Sequence, residues 1–146
     1  MLSRRQFSLG AAAAVSLPLH ALAQEQPQPW EQAVKSILGE AKPTEAKLTL
    51  DMPEIAENGN TVPFSVRIDS PMTEKDHVRA IHIISTGNPQ PGVATFRLTP
   101  QSGRAMVSSR MRLARTQDVI AIAELSDSKF LMSKRAVKVT IGGCGG

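Results

Sequence analysis

Phe64-Ser65-Val66-Arg67-Ile68-Asp69 alternates apolar and polar side chains, the period of an extended strand with one buried and one solvated face. The same period recurs in 93–99, where Ala94, Phe96 and Leu98 are expected to point inward. Working outward from these two segments, strands are expected at roughly 46–51, 61–69, 78–86, 93–99, 104–113, 119–126 and 130–141. Turn chemistry separates them: Asn58-Gly59, Ser70-Pro71, the Gly-Asn-Pro-Gln-Pro-Gly run at 87–92, Pro100-Gln101-Ser102-Gly103, and Ser126-Asp127-Ser128. About seven short strands so punctuated predict an all-β fold, an immunoglobulin-like antiparallel β-sandwich without the usual inter-sheet disulfide. Val119 to Leu125 is apolar on both faces until Glu124, as expected of a central strand or of one covered by a second protein.

Ahead of the strands the period is helical. Trp30, Val34, Ile37, Leu38 and Ala41 recur at helical spacing, with Pro29 near the first helical position and Pro43 just past the end. Trp30 is expected to anchor this short helix. Residues 24–45 are therefore read as a polar, proline-containing lead-in and helix, 46–141 as the sandwich domain, and 142–146 as a flexible C-terminal swinging arm.

The arm carries the chemistry. The last expected strand, with Val137, Val139 and Ile141 inward and Lys138 and Thr140 outward, runs directly into Gly142-Gly143-Cys144-Gly145-Gly146, and Cys144 is the sole cysteine. A thiol between glycine pairs has no neighbouring side chain to bury it, and Gly142, Gly143, Gly145 and Gly146 supply flexibility and little bulk. Three residues from Ile141 reach about 10 Å, so an enzyme acting on this thiol must dock the whole domain and admit the arm into a narrow channel. No cation flanks Cys144 in sequence to favour its thiolate, so activation is expected from the visiting enzyme. Two readings stand at this point: a covalent carrier acted on by other proteins, and a binding module whose Cys144 only forms an intermolecular disulfide, tying two copies together.

The other end gives the expected address. Ser3-Arg4-Arg5-Gln6-Phe7, an apolar stretch from Leu9 to Leu19, and Ala21-Leu22-Ala23 form a twin-arginine signal with a small-residue cleavage site, so residues 1–23 are expected to be removed on export to the periplasm. Arg4 and Arg5 leave with it and no acid does, so the formal charge falls from +4 to +2 over the remaining 123 residues. That balance argues against nucleic acid as a partner, and no later apolar run reaches membrane-spanning length, so no membrane association is expected after signal removal.

Other candidate residues are read as structural. His77 and His82 lack ligand-spaced companions, so neither a metal nor another cofactor is expected. Arg104, Arg110, Arg112 and Arg115 are read as the solvated outward face of a strand, and Met106, Met111 and Met132 as core and edge filler.

Together, the export signal, strand pattern and Gly-Gly-Cys-Gly-Gly terminus resemble SoxY, the sulfur-carrier family of the periplasmic thiosulfate-oxidising Sox system. Pro53-Glu54-Ile55-Ala56-Glu57-Asn58-Gly59-Asn60-Thr61-Val62-Pro63 also carries the likeness, as do the Asn88-Pro89-Gln90-Pro91 loop leading to Phe96, Arg112-Leu113-Ala114-Arg115-Thr116-Gln117, and Val137-Lys138-Val139-Thr140-Ile141. The resemblance implies a non-enzymatic carrier that pairs with SoxZ as a heterodimer. It implies that Cys144 is the covalent attachment point, joined to thiosulfate as a cysteine S-thiosulfonate by the haem enzyme SoxAX. It further implies hydrolysis of that adduct by the thiohydrolase SoxB and, where present, oxidation of the remaining sulfur by a molybdenum and haem sulfane dehydrogenase.

Overall fold

The computed structural model describes residues 25–144. The expected export signal lies outside these residues, as do Gly145 and Gly146. One helix, α1 (Pro29–Leu38), precedes eight strands: β1 (Leu48–Asp51), β2 (Ile55–Asn58), β3 (Val62–Ile68), β4 (Val78–Ser85), β5 (Gly92–Arg97), β6 (Met106–Met111), β7 (Gln117–Leu125) and β8 (Phe130–Ile141). They form two sheets, a three-stranded one in the order β1-β3-β6 and a five-stranded one in the order β2-β8-β7-β4-β5.

The alternation of β3 sets the sandwich. Val62, Phe64, Val66 and Ile68 are buried, and they face Ile81 and Ile83 of β4, Val119, Ala121 and Ala123 of β7, and Val137 of β8 across one core. The rings of Phe64 and Phe96 meet tilted at 6.4 Å between centroids, joining β3 to β5. Each fully buried Val or Ile of this set contributes about 1.5–3 kcal/mol relative to exposure.

The two-faced apolarity of β7 is satisfied within the chain. Ile120 and Ile122 point away from the sandwich core, and with Ile84 they pack under α1 against Trp30, Ala33, Val34, Ile37 and Leu38. Pro29 occupies the first turn, where its missing N–H costs nothing, and Glu31 accepts the Gln28 N–H at 2.9 Å to close the start of the helix. β7 is a central strand, flanked by β8 and β4, with α1 over its far face.

Two details go beyond the expected pattern. The described residues form eight strands where about seven were expected, because β2 lies between the expected strands 46–51 and 61–69. Not all pairs are antiparallel, because β2 lies parallel to β8, with Ile55 beside Lys138, Ala56 beside Val139 and Asn58 beside Ile141. Only Ala56 of β2 is buried, so the segment has no period to read. Its strand character comes from a partner far along the chain.

Candidate functional site

Cys144 is a free, exposed thiol. The residues before it touch the body beyond Ile141. β2 and β8 run parallel, so the turn after β2 arrives at the same end of the sheet as the arm. There the Gly59 N–H donates to the Ile141 carbonyl at 2.7 Å, extending the ladder by one step. The Cys144 N–H then donates to Asn60 Oδ1 at 3.0 Å.

A third segment closes the cradle. The Leu113 N–H donates to the Gly59 carbonyl and the Gly143 N–H donates to the Leu113 carbonyl, both at 2.8 Å. The backbones of 59–60, 113–114 and 141–144 therefore touch one another directly. A Cβ at Gly142 would overlap the Ala114 carbonyl oxygen, and one at Gly143 would sit 2.5 Å from the Gly59 oxygen. A Cβ at the buried Gly59 would overlap the Leu113 oxygen and lie 2.7 Å from the Gly143 nitrogen. None of these three glycines has a positive φ, so their task here is close approach rather than unusual backbone rotation.

Asn88 holds the 112–114 segment in place. Its Nδ2 donates to the Arg112 carbonyl at 2.9 Å, while its Oδ1 accepts the Ala114 N–H at 2.9 Å and Gln117 Nε2 at 2.7 Å. Gln117, itself buried, also accepts the Gly87 N–H at 2.8 Å. Thr116 continues the β7–β8 ladder with its side chain, as its hydroxyl oxygen accepts the Val139 N–H at 3.0 Å.

Two opposing contributions set the free-energy balance of the docked arm. Its Gly143 and Cys144 hydrogen bonds contribute about 0.5–1.5 kcal/mol each. Ordering a residue costs about 1–2 kcal/mol of backbone entropy, and glycine sits at the costly end. Over residues 142–144 that cost exceeds what the two bonds supply, so the close backbone contacts with Gly59 and Ala114 must also contribute if the arm is to stay docked.

Ile141, expected inward, is 65 % exposed. It is on the same face as Val137 and Val139 by strand alternation and ends β8 at the root of the arm. Of the four arginines, only Arg110 lies on β6, where its Nη1 donates to Thr61 Oγ1 at 3.4 Å. Arg104 precedes that strand, and Arg112 and Arg115 follow it on the segment that touches the arm. Met111 is in the core, Met132 lies half-buried near α1, and Met106 is exposed on the open face of the small sheet. His77 Nδ1 lies 3.0 Å from the Thr73 carbonyl. His82 Nδ1 lies 3.0 Å from Thr95 Oγ1, and burial pushes its imidazole below the ordinary value of 6.5. Among the described residues no group of three His, Cys, Asp or Glu could hold a metal ion, and no helix is long and apolar enough to cross a membrane.

Sequence reasoning located the thiol and its glycines but assigned no role to Gly59, Asn60, Asn88 or Leu113. Their signal was in view, since Asn58-Gly59-Asn60, Asn88-Pro89 and Arg112-Leu113-Ala114 carried part of the family likeness. Nothing local says that these three loops converge on the arm.

Comparisons with known proteins agree with this geometry. A family model described as "Sulfur oxidation protein SoxY" matches residues 34–144. The sulfur carrier protein SoxY from Chlorobium limicola f thiosulfatophilum is 32% identical, with a TM-score of 0.61 over 76% of this chain and 96% of that one. A superoxide reductase (neelaredoxin) from Ignicoccus hospitalis, at 15% identity, has a TM-score of 0.56 over 64% of this chain and 80% of its own. A putative superoxide reductase from Thermotoga maritima, at 19% identity, has a TM-score of 0.58 over 68% and 93%. At those identities the reductases share the fold and nothing more. No curated protein sequence matches this one. With its matched residues running from α1 to the thiol and a SoxY relative aligned over nearly its whole length, the chain belongs to the SoxY family of sulfur oxidation proteins.

Proposed function

We propose that this protein is a non-enzymatic covalent carrier of thiosulfate-derived sulfur, with Cys144 as the attachment point. The observation that carries this reading is the exposed, solitary Cys144 at the end of a glycine arm, in a chain of the SoxY family. In the loading step the Cys144 thiolate and the sulfane sulfur of thiosulfate form a sulfur–sulfur bond. Two electrons leave to a c-type haem oxidant of the SoxAX kind, and the product is a cysteine S-thiosulfonate with one negative charge. Water then cleaves the bond between the sulfane and sulfonate sulfurs at a SoxB-type thiohydrolase. Sulfate and two protons depart, and a persulfide remains on Cys144, open to further oxidation by a sulfane dehydrogenase.

The protein's own contribution is physical. A covalently held anion replaces repeated capture of a small solute with delivery of one attached group. The sandwich supplies the docking surface, with SoxZ as its heterodimeric partner, and Gly142 and Gly143 keep the approach to the thiol narrow. The twin-arginine pattern around Arg4 and Arg5 supports the periplasm as the compartment of this work.

Purified protein incubated with thiosulfate and a SoxAX-type oxidant is expected to gain one thiosulfonate mass on the peptide containing Cys144, and Cys144→Ser is expected to gain none. Absence of any adduct on the unmodified protein would sink the reading. A Cys144→Ser variant that loses a disulfide-linked dimer while retaining thiosulfate oxidation would establish the intermolecular disulfide instead.

A further inference from the structure

The arm is anchored along three residues by groups that no carrier chemistry requires. The Gly143 N–H is taken by the Leu113 carbonyl, the Cys144 N–H by Asn60 Oδ1, and Gly142 lies where a Cβ would overlap the Ala114 carbonyl. A merely flexible arm would need glycine for freedom. This one has glycine where two other backbone segments leave no room for a side chain.

We propose that Gly59, Asn60, Leu113 and Ala114 form a parking site for the arm, and that Asn60 is a positioning residue which holds Cys144 against the body until the arm is released. The inference rests on the carrier reading for its purpose, since delivery into a client's channel requires the arm to be free, but not for its geometry. Parking and delivery are then competing states of residues 142–144. Because two hydrogen bonds and a few close backbone contacts are all that hold the arm, a docking enzyme can shift the equilibrium with a modest share of its binding energy. A parked arm keeps Cys144 exposed to small solutes while denying it to anything that must surround the chain.

The test uses the purified full chain and two surface variants, Asn60→Ala and Gly142→Ala. The first removes the acceptor for the Cys144 amide and leaves the backbone of the turn intact. The second puts a methyl group where the arm meets Ala114. Two quantities are read: hydrogen exchange at the Gly143 amide, and the rate of Cys144 modification by a polymer-bound maleimide divided by that for a small maleimide. In the unmodified protein the Gly143 amide is expected to exchange more slowly than in an unstructured peptide. Asn60→Ala is expected to speed that exchange about two- to ten-fold, the worth of one hydrogen bond, and Gly142→Ala to bring it to the unstructured rate. The reactivity ratio is expected to rise in both variants. Unstructured exchange at Gly143 in the unmodified protein, or exchange and ratio both unmoved by Gly142→Ala, would overturn the proposal. Neither readout involves thiosulfate, so a protein that protects Gly143 but takes no adduct would refute the carrier reading alone, and one that takes the adduct without protection would refute parking alone.

Discussion

The backbone N–H of Cys144 donates to Asn60 Oδ1 at 3.0 Å, across 84 residues of sequence. That single bond ties the functional thiol to the turn after β2. The two meet because β2 runs parallel to β8, so that each strand delivers its C-terminal end to the same corner. The neighbouring Gly59 to Ile141 bond sets the register that makes the contact reachable.

Asn88 is expected to govern the third wall of that corner. Asn88→Ala takes the acceptor from the partly buried Ala114 N–H and the side-chain donor from the Arg112 carbonyl, while Gln117 Nε2 keeps the Arg115 carbonyl at 3.0 Å; a partly buried group left unpaired costs about 1–3 kcal/mol. Denaturant unfolding is expected to show a loss in that range. Exchange at the Leu113 and Ala114 amides should rise by more than in core strands such as β7. Uniform acceleration across all strands would show that Asn88 serves global stability rather than this loop.

Trp30 offers an optical check on the helix that covers β7. It is the only tryptophan in the chain and packs, half-buried, over Ile84, Ile120 and Ile122. Ile120→Ala should move its fluorescence to the red as α1 loosens, with a stability loss of about 2–4 kcal/mol for truncating a buried isoleucine. An unchanged emission maximum would mean that α1 does not depend on this face for its place.

His82 gives the fold a pH dependence whose sign follows from its surroundings. Burial lowers its value most, Arg97 adds to the effect, and Glu124 opposes it. Glu124 lies 3.9 Å from His82 Nε2 while Arg79 holds its other oxygen at 2.9 Å, which leaves desolvation dominant. With the folded value below the ordinary 6.5, the unfolded chain takes up the proton first as pH falls. The stabilising contribution is full above 6.5 and is lost as pH falls from there through the lower folded value. Thermal unfolding should show a decline in melting temperature over that window, and the decline should be shallower in His82→Gln. Parallel pH profiles for the two proteins would assign the decline to other groups.

The sequence by itself determined the pieces whose causes are local. Alternation in Phe64–Asp69 requires a strand with one buried face, the spacing of Trp30, Val34, Ile37 and Leu38 requires a helix with an apolar side, and glycines flanking Cys144 leave it exposed. The likeness to the SoxY family was legible in the same way, residue by residue. Tertiary structure alone decided what covers the far face of β7 and where β2 pairs. It also brought Gly59, Asn60 and Leu113 to the arm. In each case the partner lies many residues away, and Ile55-Ala56-Glu57-Asn58 has no pattern of its own until β8 offers it an edge. For Gly142 and Gly143 the sequence indicated freedom, whereas the folded chain uses the same missing Cβ atoms for contact, because close backbone approach is a property of two segments and cannot be read from one.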